Sequence, residues 1–288
     1  MGQYHVVVNL SKKEYLYPRK FNDGVKLMEF GASGMGTMLA LGWLLGNEWN
    51  GDHITIVGDY GDAEDHNVEF LASLGIKLGE TNLYDIVTAS YGAKPTAADF
   101  KIETVNPDGK TVKATDKEAL ATAKLFTDVS EKTIAAMVAT GNVSFPDKGD
   151  GFTRFDNVKR SSSSEFSILV NEENGEALDP RVFGDSARLL SFASEGFGGT
   201  MTALAALLAS SCKGGGRGGG DVRALPGSTY VDTIGSWADC RISVKKRSEL
   251  KYCKDISLTV RELLVEGKES VYETDASGKV TRKFPEWD

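Results

Sequence analysis

The stretch Asn9–Phe30, NLSKKEYLYPRKFNDGVKLMEF, is written again in altered form at Asn171–Phe192, NEENGEALDPRVFGDSARLLSF. Asn9, Leu16, Pro18, Arg19, Phe21, Asp23, Leu27 and Phe30 meet their own kind at Asn171, Leu178, Pro180, Arg181, Phe183, Asp185, Leu189 and Phe192, always 162 positions later (171 − 9 = 162). After a one-residue slip, Thr37-Met38, Ala40-Leu41 and Leu44-Leu45 match Thr200-Met201, Ala203-Leu204 and Leu207-Leu208. So many identities in one register exceed coincidence. They predict an α+β fold of two tandem copies of one mixed α/β unit, packed about a pseudo-two-fold axis. The boundary is expected near residue 160, at the polar linker Ser161–Ser164, giving copy one as 1–160 and copy two as 161–288.

Each copy opens with a β-branched run, at 5–9 and 166–171, short enough to be a buried strand. Asn174-Gly175 tolerates positive φ and predicts a hairpin returning through Ala177-Leu178; Pro18 and Pro180 end the second strand. A glycine-rich turn leads into an apolar helix at about 37–46 and again at 200–210, with Met38, Leu41, Leu44 and Leu45 on one face. Trp49 and Trp237 precede strands at 53–57 and 241–244. Ser130 and Ser257 read as N-caps of short helices closed by Gly141 and Gly267, with a last strand at 152–155 and at 280–283. Copy one carries an insertion at about 61–125: helices near 64–74, 82–91 and 116–125, the last opened by a Thr115–Glu118 capping box, and a hairpin turning at Asn106–Gly109. Copy two carries a glycine-rich loop at 213–236 instead.

The composition, 41% hydrophobic and 26% charged, is that of a soluble globular chain, and no apolar run nears the roughly 18–20 residues that span a bilayer. The strand signal begins at His5, so no secretory signal is expected and the location reads as cytoplasmic. A net charge of −8 argues against non-specific nucleic-acid binding, which takes clustered Lys and Arg. Cys212, Cys240 and Cys253 have no CxxC spacing and read as reduced structural thiols.

Two segments carry chemistry. The strand at 53–57 runs into Gly58-Asp59-Tyr60-Gly61-Asp62-Ala63-Glu64-Asp65-His66, where Asp59, Asp62 and Asp65 offer hard oxygen ligands to Mg²⁺. The bland alternative is a solvated acidic loop capping the next helix. The equivalent place in copy two, Lys245-Lys246-Arg247, is basic and can meet it by charge. In the glycine loop, Gly215, Gly216, Gly218 and Gly219 offer backbone N–H groups to an anion, Arg217 a bidentate phosphate contact, and Asp221 closes the run. The loop lacks the GxxxxGK[ST] pattern, and a plain surface loop explains it as well. His5, His53 and His66 have no partner at a recognisable spacing, and the first two read as core or edge residues of strands. Arg19–Asp23 and Arg181–Asp185 read as bridges within each copy.

The strings MGQY (1–4), VNLSKKEYL (8–16), GTM (36–38), IVGDY (56–60) and GRGGGD (216–221) resemble a family of uncharacterised bacterial, archaeal and phage proteins. The resemblance covers the first 60 residues and about 180–245. It implies a prokaryotic setting, or a host cytoplasm if phage-encoded, and supplies no catalytic residues. In the family's pattern the glycine loop and the Gly-Asp-Tyr strand end share one unit. Here they lie in different copies, which allows one composite site between them. The expectation is a binder, or a hydrolase, of a small anionic or nucleotide-like ligand at the inter-repeat cleft, with Arg217 on phosphate and Asp59, Asp62 and Asp65 on Mg²⁺. The alternative is a structural protein that self-associates or binds a partner.

Overall fold

The computed structural model describes residues 2–31, 35–78, 82–89, 102–105, 111–114, 125–140, 167–183, 200–213, 216–218, 221–222, 230–250, 252–266, 271–274 and 280–283. The linker at 161–164, Gly141, Gly267, the turn at 106–109, the capping box at 115–118 and the strand at 152–155 lie outside them. In chain order the elements are β1 (His5–Asn9), β2 (Glu14–Leu16), α1 (Leu27–Phe30), α2 (Gly36–Leu45), β3 (Asp52–Gly58), α3 (Val68–Ser73), β4 (Ile76–Lys77), α4 (Leu83–Thr88), β5 (Ile102–Val105), β6 (Thr111–Ala114), β7 (Thr127–Asp128) and α5 (Ser130–Ala139). There follow β8 (Ser167–Asn171), β9 (Glu176–Leu178), α6 (Thr200–Leu208), β10 (Cys240–Lys246), β11 (Lys254–Asp255), α7 (Ser257–Glu266), β12 (Val271–Thr274) and β13 (Val280–Lys283). Among the described residues no helix is long and apolar enough to cross a membrane.

Eight strands make one mixed sheet in the order β11-β9-β8-β10-β3-β1-β2-β7. The fold is α+β. Alternation along each strand serves two layers. Val7, Ile54, Ile56, Leu169 and Ile242 join α2 and α6 in the main core, while Val6, Val8 and Val57 face a second core with Leu71, Ile86 and Val87 of the inserted helices. The insertion also adds β4, β5 and β6 as a separate antiparallel sheet, with the expected hairpin between β5 and β6. Helix α2 is buried on all sides except at Trp43, not along one stripe, because α5, α6 and the sheet all pack on it.

Matching contacts recur in the two halves. β1 meets β2 with Val7 opposite Leu16, and β8 meets β9 with Leu169 opposite Leu178. β7 adds to β2, and β11 to β9, in parallel. The buried indoles of Trp49 and Trp237 donate to Glu14 and Glu176, each at 2.8 Å. The halves join where β3 and β10 run antiparallel, with Ile54 opposite Cys240, His53 opposite Arg241 and Asp52 opposite Ile242.

Two local expectations change. Ser130 and Ser257 are first helical residues, not caps: their hydroxyls accept the Tyr17 and Asp179 N–H groups, and Asp128 and Asp255 accept the serine N–H groups instead. Asp23 turns from Arg19 to the start of α2, where its carboxylate accepts from the Gly36 N–H and from the N–H and hydroxyl of Thr37. That position suits an anion, since the first N–H groups of a helix lack intrahelical partners.

Burial drives the Asp23 carboxyl up to about 6, against the lowering effect of the Thr37 and Gly36 donors. A folded value above the unfolded one means that the folded state binds the proton more tightly. Stability from this group is therefore least above pH ~6 and grows as pH falls towards ~4. Asp23→Asn removes that ionisation. Denaturation midpoints of the two proteins, followed from neutral to acid pH, should diverge in favour of the unsubstituted chain as pH falls, and parallel curves would contradict the burial-driven shift.

Candidate functional site

The end of β3 is where the two halves exchange side chains. The turn after α6 lies along it: Ile56 and Ala209 form a parallel bridge, and the Ser210 hydroxyl donates to the Ile56 carbonyl at 3.1 Å. Gly58 makes the approach possible, because a Cβ there would lie 2.1 Å from the Gln3 amide and 2.5 Å from Ser211 Oγ. Asp59 is fixed by the segment before β1, exchanging hydrogen bonds with the Tyr4 backbone.

Arg217 and Gly218 of the glycine loop then lie against this end. Arg217 grips Asp65 with both guanidinium nitrogens at 2.7 Å, and its Nη1 also reaches Asp62 at 3.2 Å and the Tyr60 carbonyl at 3.1 Å. Asp65 is 3% exposed, Arg217 33% and Asp62 58%, so the first contact is a half-buried charge pair and the second a surface one. Lys213 adds a hydrogen bond to the Asp65 carbonyl. Nearby, His66 meets the Asp239 carboxylate at 3.1 Å, and Asn67 N–H donates to the same oxygen. Burial pushes Asp239 up, but the hydrogen bond and charge of His66 prevail and hold it below the usual carboxylate range.

Beneath the loop lies a buried polar cluster. His5 Nε2 stands 3.9 Å from Asp221 Oδ1, 4.0 Å from Cys212 Sγ and 3.4 Å from Ser211 Oγ. Asp221 Oδ2 accepts the Gly218 N–H at 2.6 Å. Gln3, with its amide nitrogen towards Asp221, donates to Oδ2 at 3.0 Å, while its oxygen accepts from Ser211 Oγ at 2.8 Å and Tyr60 N–H at 3.2 Å. Gly218 has to be glycine, since a Cβ would sit 2.7 Å from the Gln3 nitrogen. Burial drives His5 down to about 3, against the Gln3 backbone, and so keeps it neutral. Burial, with help from the Asp221 charge, pushes the Cys212 thiol up to about 12. A neutral buried thiol is a poor nucleophile. The geometry is not a Cys–His–Asp relay either, because thiol and carboxylate address the same ring nitrogen, whereas a relay uses opposite ones.

The sequence-based candidates are thus brought together, but onto one another. Arg217 holds carboxylates, Gly218 gives its N–H to Asp221, and Asp62 caps the turn at Ala63–Asp65. Asp62 and Asp65 share Arg217, Asp59 faces the Tyr4 N–H instead, and among the described residues the three carboxylates do not converge on one centre. Gly216 is described, while Gly215 and Gly219 lie outside the described residues. Lys245 and Arg247 pair with Glu172 and Asp179 of their own half, away from the acidic turn. His53 binds Glu173 across the seam at 3.0 Å, from an interior strand of the sheet and not from an edge. Outside these sits Asp85, raised to about 6 by burial and then by the charge of Asp59, which is itself raised by burial and by Asp221. The His66–Asp239 pairing, Gln3 and Ser211 escaped the sequence reading. His66 and Asp239 are 173 positions apart, so no local spacing announces the pair.

No family model matches the chain, and no curated protein or solved structure matches it.

Arg217→Ala leaves the buried Asp65 carboxylate without its cation and is expected to cost about 1–3 kcal/mol. Asp62→Ala removes only an exposed contact and should cost about 0–1 kcal/mol. Urea denaturation of the two variants checks the ranking, and equal losses would refute the assignment of Asp65 as the anchor.

Proposed function

We propose that the chain is a fused duplication that works as a structural, self-associating protein in the cytoplasm rather than as a hydrolase. The observation that carries this reading is the bidentate Arg217–Asp65 pair. The cation that an anionic ligand needs, and the carboxylate that a divalent ion needs, already satisfy each other in a half-buried contact. A ligand would have to pull that contact apart, at a cost of about 1–3 kcal/mol. The duplication is supported by the recurring registers, by the paired Trp–Glu contacts, and by strand neighbours that match outward from the β3–β10 seam. The proposed two-fold axis passes through the His53–Arg241 pair. Material for association lies on the outside: Tyr4 and Tyr60 are exposed by the far end of β3, and Tyr252 and Leu258 at and before the start of α7. Tyrosine is a favoured anchor of protein interfaces.

A second reading, a small anionic or nucleotide-like ligand with Mg²⁺, draws on one observation. Arg217 remains one-third exposed and its 3.2 Å contact with the exposed Asp62 can open to an incoming phosphate.

Light scattering separates the two. The first reading expects a defined assembly above the 31.0 kDa of one chain. A stable monomer whose Tm rises with millimolar nucleotide and Mg²⁺ would reverse the order, because a ligand that binds only the folded state stabilises it by mass action.

A further inference from the structure

We infer that His5, Cys212 and Asp221 form a binding site for one zinc-class divalent transition metal, seated under the glycine loop. The inference does not rest on self-association.

Three donors of different chemistry converge from three places: the first residue of β1, the turn after α6, and the end of the glycine loop. Their ligand atoms all lie within 4.8 Å of one another, and no other group of three or more His, Cys, Asp or Glu side chains among the described residues does this. The His5 nitrogen is 3.9 Å from the Asp221 oxygen and 4.0 Å from the Cys212 sulfur. Tetrahedral zinc, with bonds of about 2.0–2.3 Å, holds neighbouring donors roughly 3.3–3.8 Å apart. Closing that gap takes only small side-chain shifts.

The donor set chooses the ion. Imidazole, thiolate and carboxylate together suit a borderline-soft ion, while Mg²⁺ and Ca²⁺ take oxygen ligands and do not seek sulfur. The surroundings fit a ligating carboxylate as well. Gly218 N–H and the Gln3 amide both hold Asp221 Oδ2, which leaves Oδ1 facing His5. Outer contacts of this kind orient metal ligands and fix their geometry. The fourth position falls to a water or to the Ser211 hydroxyl, 3.4 Å from the same His5 nitrogen. Since all three donors are buried, the ion would tie the loop to the sheet and would not present an open coordination position to substrate.

The test uses the full chain, stripped with EDTA and titrated with Co²⁺. One equivalent should bind and give a thiolate-to-cobalt charge-transfer band with tetrahedral visible bands. Zn²⁺ should displace it stoichiometrically, raise Tm and slow alkylation of Cys212, while millimolar Mg²⁺ should do none of these. Cys212→Ser should abolish the charge-transfer band, and Cys240→Ser and Cys253→Ser should keep it. If Cys212→Ser fails to fold by circular dichroism, Asp221→Asn supplies the check, with Co²⁺ affinity reduced about tenfold or more. The inference is overturned if excess Co²⁺ gives no charge-transfer band with the unsubstituted protein. A band that survives in folded Cys212→Ser, or disappears with Cys240 or Cys253, overturns it equally.

Discussion

The pairing of β3 with β10 is the constraint on which the rest depends. It makes one eight-stranded sheet out of two four-strand halves and lays the turn after α6 against the end of β3. A sheet edge left open at either strand would expose unpaired N–H and C=O groups and invite aggregation. Joining the edges removes that liability and buries the apolar face beneath both. Ile54, Ile56 and Ile242 then share a core with α2 and α6, and neither helix has a solvent face left for a different docking. The seam is thus held by backbone hydrogen bonds and apolar burial together, and these rather than the surface charges near it set how the halves meet.

Once the seam is fixed, the differences between the halves decide where polar groups collect. The N-terminal half keeps Gly-Asp-Tyr at the end of β3, and the insertion that follows covers the sheet face of Val6, Val8 and Val57. The C-terminal half carries the glycine loop, and its own strand end is Lys245-Lys246-Arg247. Arg217 finds no carboxylate at the end of its own half's strand, where Lys245 and Arg247 pair with Glu172 and Asp179. It meets the acidic turn of the other half, and the result is one site and not two. Opposite charges partly withdrawn from water are favourable when they are well hydrogen-bonded, and the bidentate Arg217–Asp65 contact supplies two such bonds.

Much of the local structure was legible in the sequence. Asn174-Gly175 announced the β8–β9 turn, where Gly175 takes φ of 64°, and both apolar helices fell close to their expected places. Local patterns carry such signals because they depend on neighbours in the chain. Signals that depend on the partner were misread. Ser130 and Ser257 look like caps, yet their hydroxyls accept N–H groups from residues 113 and 78 positions away. Glu14 and Glu176 also repeat in register, but their role appears only once Trp49 and Trp237 bring buried indole N–H groups that need an acceptor. The glycine loop and the acidic turn were legible as candidates. That they would neutralise each other was not, since 152 residues separate Arg217 from Asp65 and only the strand order brings them together.

The buried cluster follows from the same logic. A histidine at the start of a valine-rich strand is an expensive choice for a core position unless something uses its nitrogen, since unsatisfied buried polar groups cost free energy. Neutrality removes part of that cost for His5, yet it leaves an aspartate, a thiol and an imidazole facing one another where apolar side chains would pack without penalty. Hydrogen bonds from Gly218 and Gln3 satisfy one oxygen of Asp221 and aim the other inward. An arrangement that holds three dissimilar donors around one point, with an outer layer orienting them, is better explained by an ion that draws on all three than by packing. On that account the glycine run has a physical task. It lets the chain pass within contact distance of Gln3, where any side chain at Gly218 would collide, and so delivers Asp221 to the cluster.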